Sequence, residues 1–215
     1  GVRFVRAWSA PTCSPTRATM LTGRYGFRTG VGWAVAGNNQ LQLAETTLPE
    51  VLSELGVQHA NIGKWHLGTA TEIGGDSAPN KAGWGHFSGL LDGTLQAYDD
   101  WPRTVNGVTA TSNTYATTAA VDDAISWLGG VKTEEPWFLW LAFNAPHAPF
   151  HQPPSHLHSV TGLTGNGIQK APGPYFSAAV ESMDTEVGRL LDWLTAHNMT
   201  DVDVIFIGDN GTPSQ

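Results

Sequence analysis

Cys13 opens a C-x-P-x-R run, Cys13-Ser14-Pro15-Thr16-Arg17, which leads into a helix-compatible stretch ending at Gly23. It is the single cysteine of the chain, so no internal disulfide framework braces its surroundings. Arg17 lies four residues on, and a helix beginning near Cys13 returns its guanidinium to the same face. A helix N-terminus also leaves backbone N–H groups free and carries partial positive charge. Thiol, guanidinium and helix end together outline a pocket for a tetrahedral oxyanion such as sulfate or phosphate. Taken alone, a cysteine beside an arginine reads more simply as a buried thiol, because free cysteine is among the most buried residue types. The rest of the chain changes that reading.

In chain order, Arg3–Trp8 alternates and is β-prone, and is expected to be a strand delivering the cysteine loop. Thr47-Leu48-Pro49-Glu50 is a capping box with proline in the first turn, and Leu48, Val51, Leu52 and Leu55 then share a helical face. His59–Gly63 reads as a short buried strand running into Lys64. The span 68–113 shows no clear periodicity and is expected to be an active-site loop region. Tyr115–Leu128 has apolar residues at helical spacing, closed by Gly129-Gly130. Trp137–Phe143 is continuously apolar, as for a central parallel strand buried on both faces. A long Pro-, Gly- and His-rich loop follows over 146–174. Phe176, Val180, Met183, Val187, Leu190 and Leu194 then form a helical stripe ending near His197. Val202–Ile207 is expected to be the last strand, with Asp209 at its C-terminal end. This alternation of helices and strands predicts an α/β fold. Lys64, Asn144 and Asp209 all follow the C-terminal ends of predicted strands, where open α/β sheets place their sites.

The formal charge of −8 and the absence of a basic tract argue against nucleic acid as a partner. Five of the seven arginines nevertheless fall before residue 29, around the proposed anion pocket. No apolar run reaches membrane-spanning length. Sparse lysine with abundant Thr, Gly and Trp suggests an exported protein: periplasmic, secreted or lysosomal.

Four segments, Cys13–Arg24, Gly63-Lys64-Trp65-His66-Leu67-Gly68, Asn144-Ala145-Pro146-His147-Ala148-Pro149 and Asp209-Asn210-Gly211, resemble in order the motifs of the type I sulfatases of the alkaline phosphatase superfamily. The resemblance implies a mainly parallel central sheet flanked by helices, with residues 1–215 a fragment of the N-terminal catalytic domain, incomplete at both ends. It implies oxidation of Cys13 to formylglycine by a formylglycine-generating enzyme, the hydrated aldehyde being the nucleophile. Arg17 would hold that group, Lys64 would contact sulfate oxygens, and His66 would contact the formylglycine hydroxyl. His147 would bind sulfate and assist the leaving oxygen, which is general acid work. Asp209 and Asn210, with residue 13, would ligate Ca2+, although the family's N-terminal pair of aspartates and a basic residue beyond the asparagine are not in this sequence. The substrate would be a sulfated small molecule or carbohydrate. A phosphonate or phosphodiester hydrolase of the same superfamily, and a non-catalytic sulfated-glycan binding protein, are the alternatives. His151, His156 and His158 crowd one loop, but in no known zinc spacing, and read as solvated or substrate-contacting. Trp84, Tyr98 and Trp101 read equally as sugar-stacking or core residues.

Overall fold

The computed structural model describes residues 1–35, 39–132, 134–165 and 172–211. Within these the strands are β1 (Gln58–Lys64), β2 (His86–Leu90), β3 (Trp101–Val105), β4 (Val108–Ser112) and β5 (Trp137–Ala142), and they form one sheet in the order β4-β3-β2-β1-β5. The central strand β1 runs parallel to both β2 and β5, whereas β3 and β4 extend the sheet antiparallel. The helices are α1 (Cys13–Thr22), α2 (Gly26–Thr29), α3 (Leu48–Glu54), α4 (Ala78–Lys81), α5 (Ala116–Leu128) and α6 (Pro172–Ala196). None is long and apolar enough to cross a membrane.

Side-chain alternation along β5 assigns the two faces. Phe138 and Trp140 pack with Ala18 and Leu21 of α1, Trp65, Trp84 and Phe87. Trp137, Leu139 and Leu141 pack on the other side with Ile62, Val121 and Leu128 and with Leu190 and Leu194 of α6. Helices therefore cover both faces, as the α/β expectation requires. A third buried cluster, containing Leu90, Leu95, Tyr98, Trp101, Tyr115, Ala145 and Leu157, joins the segments after β2 and β5. Trp84, Tyr98 and Trp101 are thus core residues, each 4% exposed or less.

Local signals explain the helix ends. Gly23, at φ +66°, closes α1 by donating its N–H to Thr19 O at 2.8 Å. Glu50 accepts from the Thr47 N–H at 2.8 Å, completing the capping box of α3. At the C-terminal end of the parallel strands, two glycines let backbones approach closely. A Cβ on Gly63 would run into the Ala142 carbonyl, and one on Gly89 into the Gly63 carbonyl.

Four expectations are corrected. The span 68–113 holds β2, β3 and β4 rather than a loop. Its hairpin turns on Asn106-Gly107, at φ +45° and +84°, the left-handed pair that a two-residue turn demands. Arg3–Trp8 and Val202–Ile207 form no strand, since a strand needs a ladder partner for its N–H and C=O groups. Finally, β5 pairs with β1 alone and is half-buried along most of its length, so it is an edge strand among the described residues.

Candidate active site

Two chain reversals build the site: the entry into α1 and the exit from β1. Cys13 is the first residue of α1 and is buried, as are Ser14 and Arg17. Lys64 is the last residue of β1 and is 4% exposed. Arg17 locks these elements together, donating through Nε to Trp65 O at 2.7 Å and through Nη2 to Lys64 O. Its guanidinium also lies over the Trp140 ring, 5.1 Å from the centroid. Ser14 closes the junction, since its hydroxyl donates to His66 O at 2.9 Å and accepts from Val35 N–H at 3.0 Å.

His66 adopts φ +51°, a left-handed conformation rare outside glycine. That turn places its Nδ1 3.0 Å from Cys13 Sγ. Gly93 stands directly behind the ring, where a Cβ would collide with it. Burial, then the charges of Lys64, Arg17 and His147, push the His66 pKa down to about 3, against a backbone hydrogen bond with Val35. The imidazole is therefore neutral near pH 7, and a neutral ring with Nδ1 on residue 13 can accept a hydrogen bond from it.

Burial also lowers Arg17, to about 10, against Asp209 and Cys13, so Arg17 remains a cation at neutral pH. Lys64 is lowered too, by burial first, while Cys13 and Asp209 favour its charged form and Arg17 opposes it. Two desolvated cations beside a helix N-terminus favour an anion strongly, because attraction grows as water is excluded. Asp209 provides one local counter-charge, its Oδ2 lying 3.8 Å from Arg17 Nη1.

His147 follows β5 and is exposed. Its Nδ1–H donates to Ala148 O at 2.8 Å, which leaves Nε2 as the nitrogen free to exchange a proton. Because β5 runs parallel to β1 with Ala142 opposite Gly63, the segment carrying His147 leaves the sheet at the same end as Lys64 and His66.

Five of the residues expected from sequence, Cys13, Arg17, Lys64, His66 and His147, thus converge, and Asp209 joins them through Arg17. Asn210 takes no part in this set, its Nδ2 donating instead to Gly211 O at 2.7 Å. The three loop histidines do not gather. His151 is buried between Tyr115 and the Pro149 carbonyl, and His158 bonds Pro153 O at 3.2 Å. Among the described residues no group of three or more His, Cys, Asp or Glu is arranged to hold a metal. Calcium takes six to eight oxygens. The described donors, Asp209 and Asn210 with one beside a guanidinium, do not complete such a site. Sequence reasoning missed Ser14, Gly93 and Trp140. Ser14 stands at a variable position of the C-x-P-x-R run and Trp140 within an apolar strand, so neither carries a signal of its own, and the Gly93 contact links segments far apart in sequence.

The sulfatase family model matches residues 1–215. The chain is similar to the uncharacterized sulfatase YdeN of Escherichia coli K12, 30% identical over 98% of this chain and 41% of that protein. It is 29% identical to an arylsulfatase of Klebsiella aerogenes, over 78% of this chain and 40% of that one. The chain therefore spans less than half the length of these relatives. Among solved structures it superposes on Ps i-CgsB in complex with k-i-k-neocarrahexaose with a TM-score of 0.76 at 24% identity, over 89% of this chain and 46% of that one. BT4656, in complex with its substrate D-glucosamine-2-N,6-O-disulfate, gives 0.69 at 19% identity, over 94% and 56%. At such identities these structures support the fold.

Proposed function

The chain belongs to the sulfatase family, and from that membership we propose that the protein hydrolyses sulfate esters with residue 13 as its nucleophile. The observation that carries the proposal is the environment of Cys13. Its buried Sγ meets His66 Nδ1 at 3.0 Å, and the desolvated cations Lys64 and Arg17 stand beside it. A thiol makes poor use of an ammonium donor on one side and an imidazole acceptor on the other, whereas a hydroxyl at the same position accepts from Lys64 and donates to His66 Nδ1. Those groups fit a formylglycine at residue 13, made by a formylglycine-generating enzyme. That group supplies, when hydrated, one hydroxyl for attack on sulfur and a second that helps release sulfate.

The residues of the chain then divide the work. Lys64 and the α1 N-terminus hold the sulfate oxygens and offset charge that builds on them. Arg17, anchored to the Lys64 and Trp65 carbonyls, keeps residue 13 in register with β1. Neutral His66 accepts a hydrogen bond from the residue-13 hydroxyl and so orients the attacking oxygen. His147, as the imidazolium with Nδ1–H committed to Ala148 O, delivers its Nε2 proton to the departing oxygen. Calcium enters this reading only through the whole protein. Asp209 and Asn210, with the residue-13 oxygen, would be three of its ligands, and the others would come from outside the described residues.

The experiment is mass spectrometry of the Cys13 peptide from the whole protein, with turnover of matched sulfate and phosphate esters. The expected outcome is exchange of the thiol for an aldehyde, turnover favouring sulfate, and loss of turnover with retained fold in Cys13→Ala. Near-normal sulfate ester hydrolysis by Cys13→Ala would sink the proposal.

A further inference from the structure

Of the five groups that converge on the site, His147 is the exposed one, and it rides on a loop rather than on a helix or strand. A proton donor with that freedom would present Nε2 to the leaving oxygen only part of the time. The surrounding residues remove the freedom. Three successive carbonyls, of His147, Ala148 and Pro149, each receive one hydrogen bond. Tyr98 Oη donates to His147 O at 2.8 Å, the His147 ring to Ala148 O, and His151 Nδ1–H to Pro149 O at 2.9 Å.

The two outer donors are themselves coupled. The His151 ring stacks on Tyr98 with centroids 4.0 Å apart at 22°. Because Nδ1 gives its proton to Pro149, Nε2 is an acceptor, and Tyr115 Oη donates to it at 3.0 Å. Tyr98, Tyr115 and His151 are 3%, 9% and 7% exposed, so water does not compete for these bonds. Burial favours the neutral form of all three, raising both tyrosines, Tyr115 to about 12, and lowering His151. The direction of every bond in the chain is therefore stable near neutral pH. Tyr98 comes from the segment between β2 and β3, and Tyr115 from the residue before α5. The clamp thus ties the loop to two separate parts of the core.

We propose that Tyr98 and His151 are positioning residues that fix the 147–149 backbone so that His147 Nε2 addresses the leaving oxygen. The inference rests on the assignment of His147 as proton donor given above. It differs from ordinary loop packing in one respect: the clamp matters to turnover only through His147.

The test is a double-mutant cycle in the whole protein, with Tyr98→Phe, His147→Ala and their combination, on an alkyl or sugar sulfate and on nitrophenyl sulfate. Tyr98→Phe is expected to lower kcat about tenfold or more on the alkyl or sugar ester, since misplacement of a catalytic group by a fraction of an ångström costs on that order. KM should stay near its original value, and nitrophenyl sulfate should lose much less, because its leaving group needs little protonation. In the His147→Ala background the same substitution should cost nothing further. Should Tyr98→Phe not fold, Tyr115→Phe, which loosens His151 without touching His147, is expected to give the same substrate pattern at smaller size. Equal losses on both esters, an undiminished loss when His147 is absent, or wild-type kcat on the alkyl ester would overturn the proposal. If wild type turns over sulfate esters but His147→Ala loses nothing on either, the proton-donor assignment falls and takes the clamp with it.

Discussion

Arg17 and Lys64 bring two cations out of water, and each finds compensation in fixed partners rather than in solvent. Arg17 gives two hydrogen bonds to strand-end carbonyls and one face to Trp140. Such anchoring would keep the proposed catalytic set ordered around an anion that comes and goes. His66 is held differently, by a left-handed backbone and by the lack of a side chain on Gly93. The φ of Gly93 is not in the left-handed region, so alanine is tolerated by the backbone and acts through its methyl alone. Gly93→Ala is therefore expected to displace the imidazole from residue 13 and cut kcat by about 10- to 100-fold, with little change in Tm. Wild-type kcat on a sulfate ester, measured beside a melting curve, would show that the ring does not depend on that space. At this scale the sequence was most legible where spacing carries chemistry. Cys13 and Arg17, a helical turn apart, did come together, whereas His66 reaches residue 13 through the left-handed turn at its own backbone rather than by spacing along an extended segment. Gly93, Ser14 and Trp140 were illegible because their importance lies in what they touch across the fold.

Elements were readable wherever their own signals sufficed. The capping box at Thr47, the apolar stripe of α6 and the buried run of β1 all formed, because local hydrogen bonds or a continuous apolar face define them. The hairpin β3–β4 was also signalled, by Asn106-Gly107, but its exposed polar outer strand hid the alternation. The contact of α3 with β1 carries a pH dependence. His59, buried on β1, accepts at Nδ1 from Gly85 N–H at 3.2 Å and pairs at Nε2 with Ser53 Oγ at 2.8 Å. A protonated ring cannot accept at Nδ1, and burial lowers its pKa from the model-peptide 6.5. Above pH 6.5 folded and unfolded chains both carry the neutral ring, and this contribution to stability is complete. Below that pH the unfolded chain binds the proton first, so stability declines toward the lowered folded value. His59→Gln should flatten this acid-side decline in urea unfolding between pH 7 and pH 5, at the cost of a lower plateau. An unchanged slope would remove His59 as a contributor.

Across the whole molecule, the two segments expected to be strands remain outside the sheet. Phe4 and Trp8 are 81% and 86% exposed, and Ile205 and Phe206 are 81% and 78% exposed. Their β-prone sequences suggested strands, but pairing is a property of partners, which a local pattern does not contain. The same holds for the metal, since two hard donors at Asp209-Asn210 were legible and the remainder of a coordination shell was not. Calcium binding is accordingly expected of the whole protein and to be weakened at least tenfold by Asp209→Ala, read by calorimetry, since each carboxylate adds to site charge and affinity. Unaltered affinity would leave Asp209 as a partner of Arg17 and nothing more. Gly63 and Gly89, finally, lie side by side where the parallel strands are drawn together just beneath Lys64. Neither can acquire a side chain unless its neighbouring strand retreats, and retreat would carry Lys64 away from residue 13. In mutational terms these two positions form a ratchet. A change at either position is therefore a change at both, and the width of the sheet beneath the site behaves as one indivisible quantity.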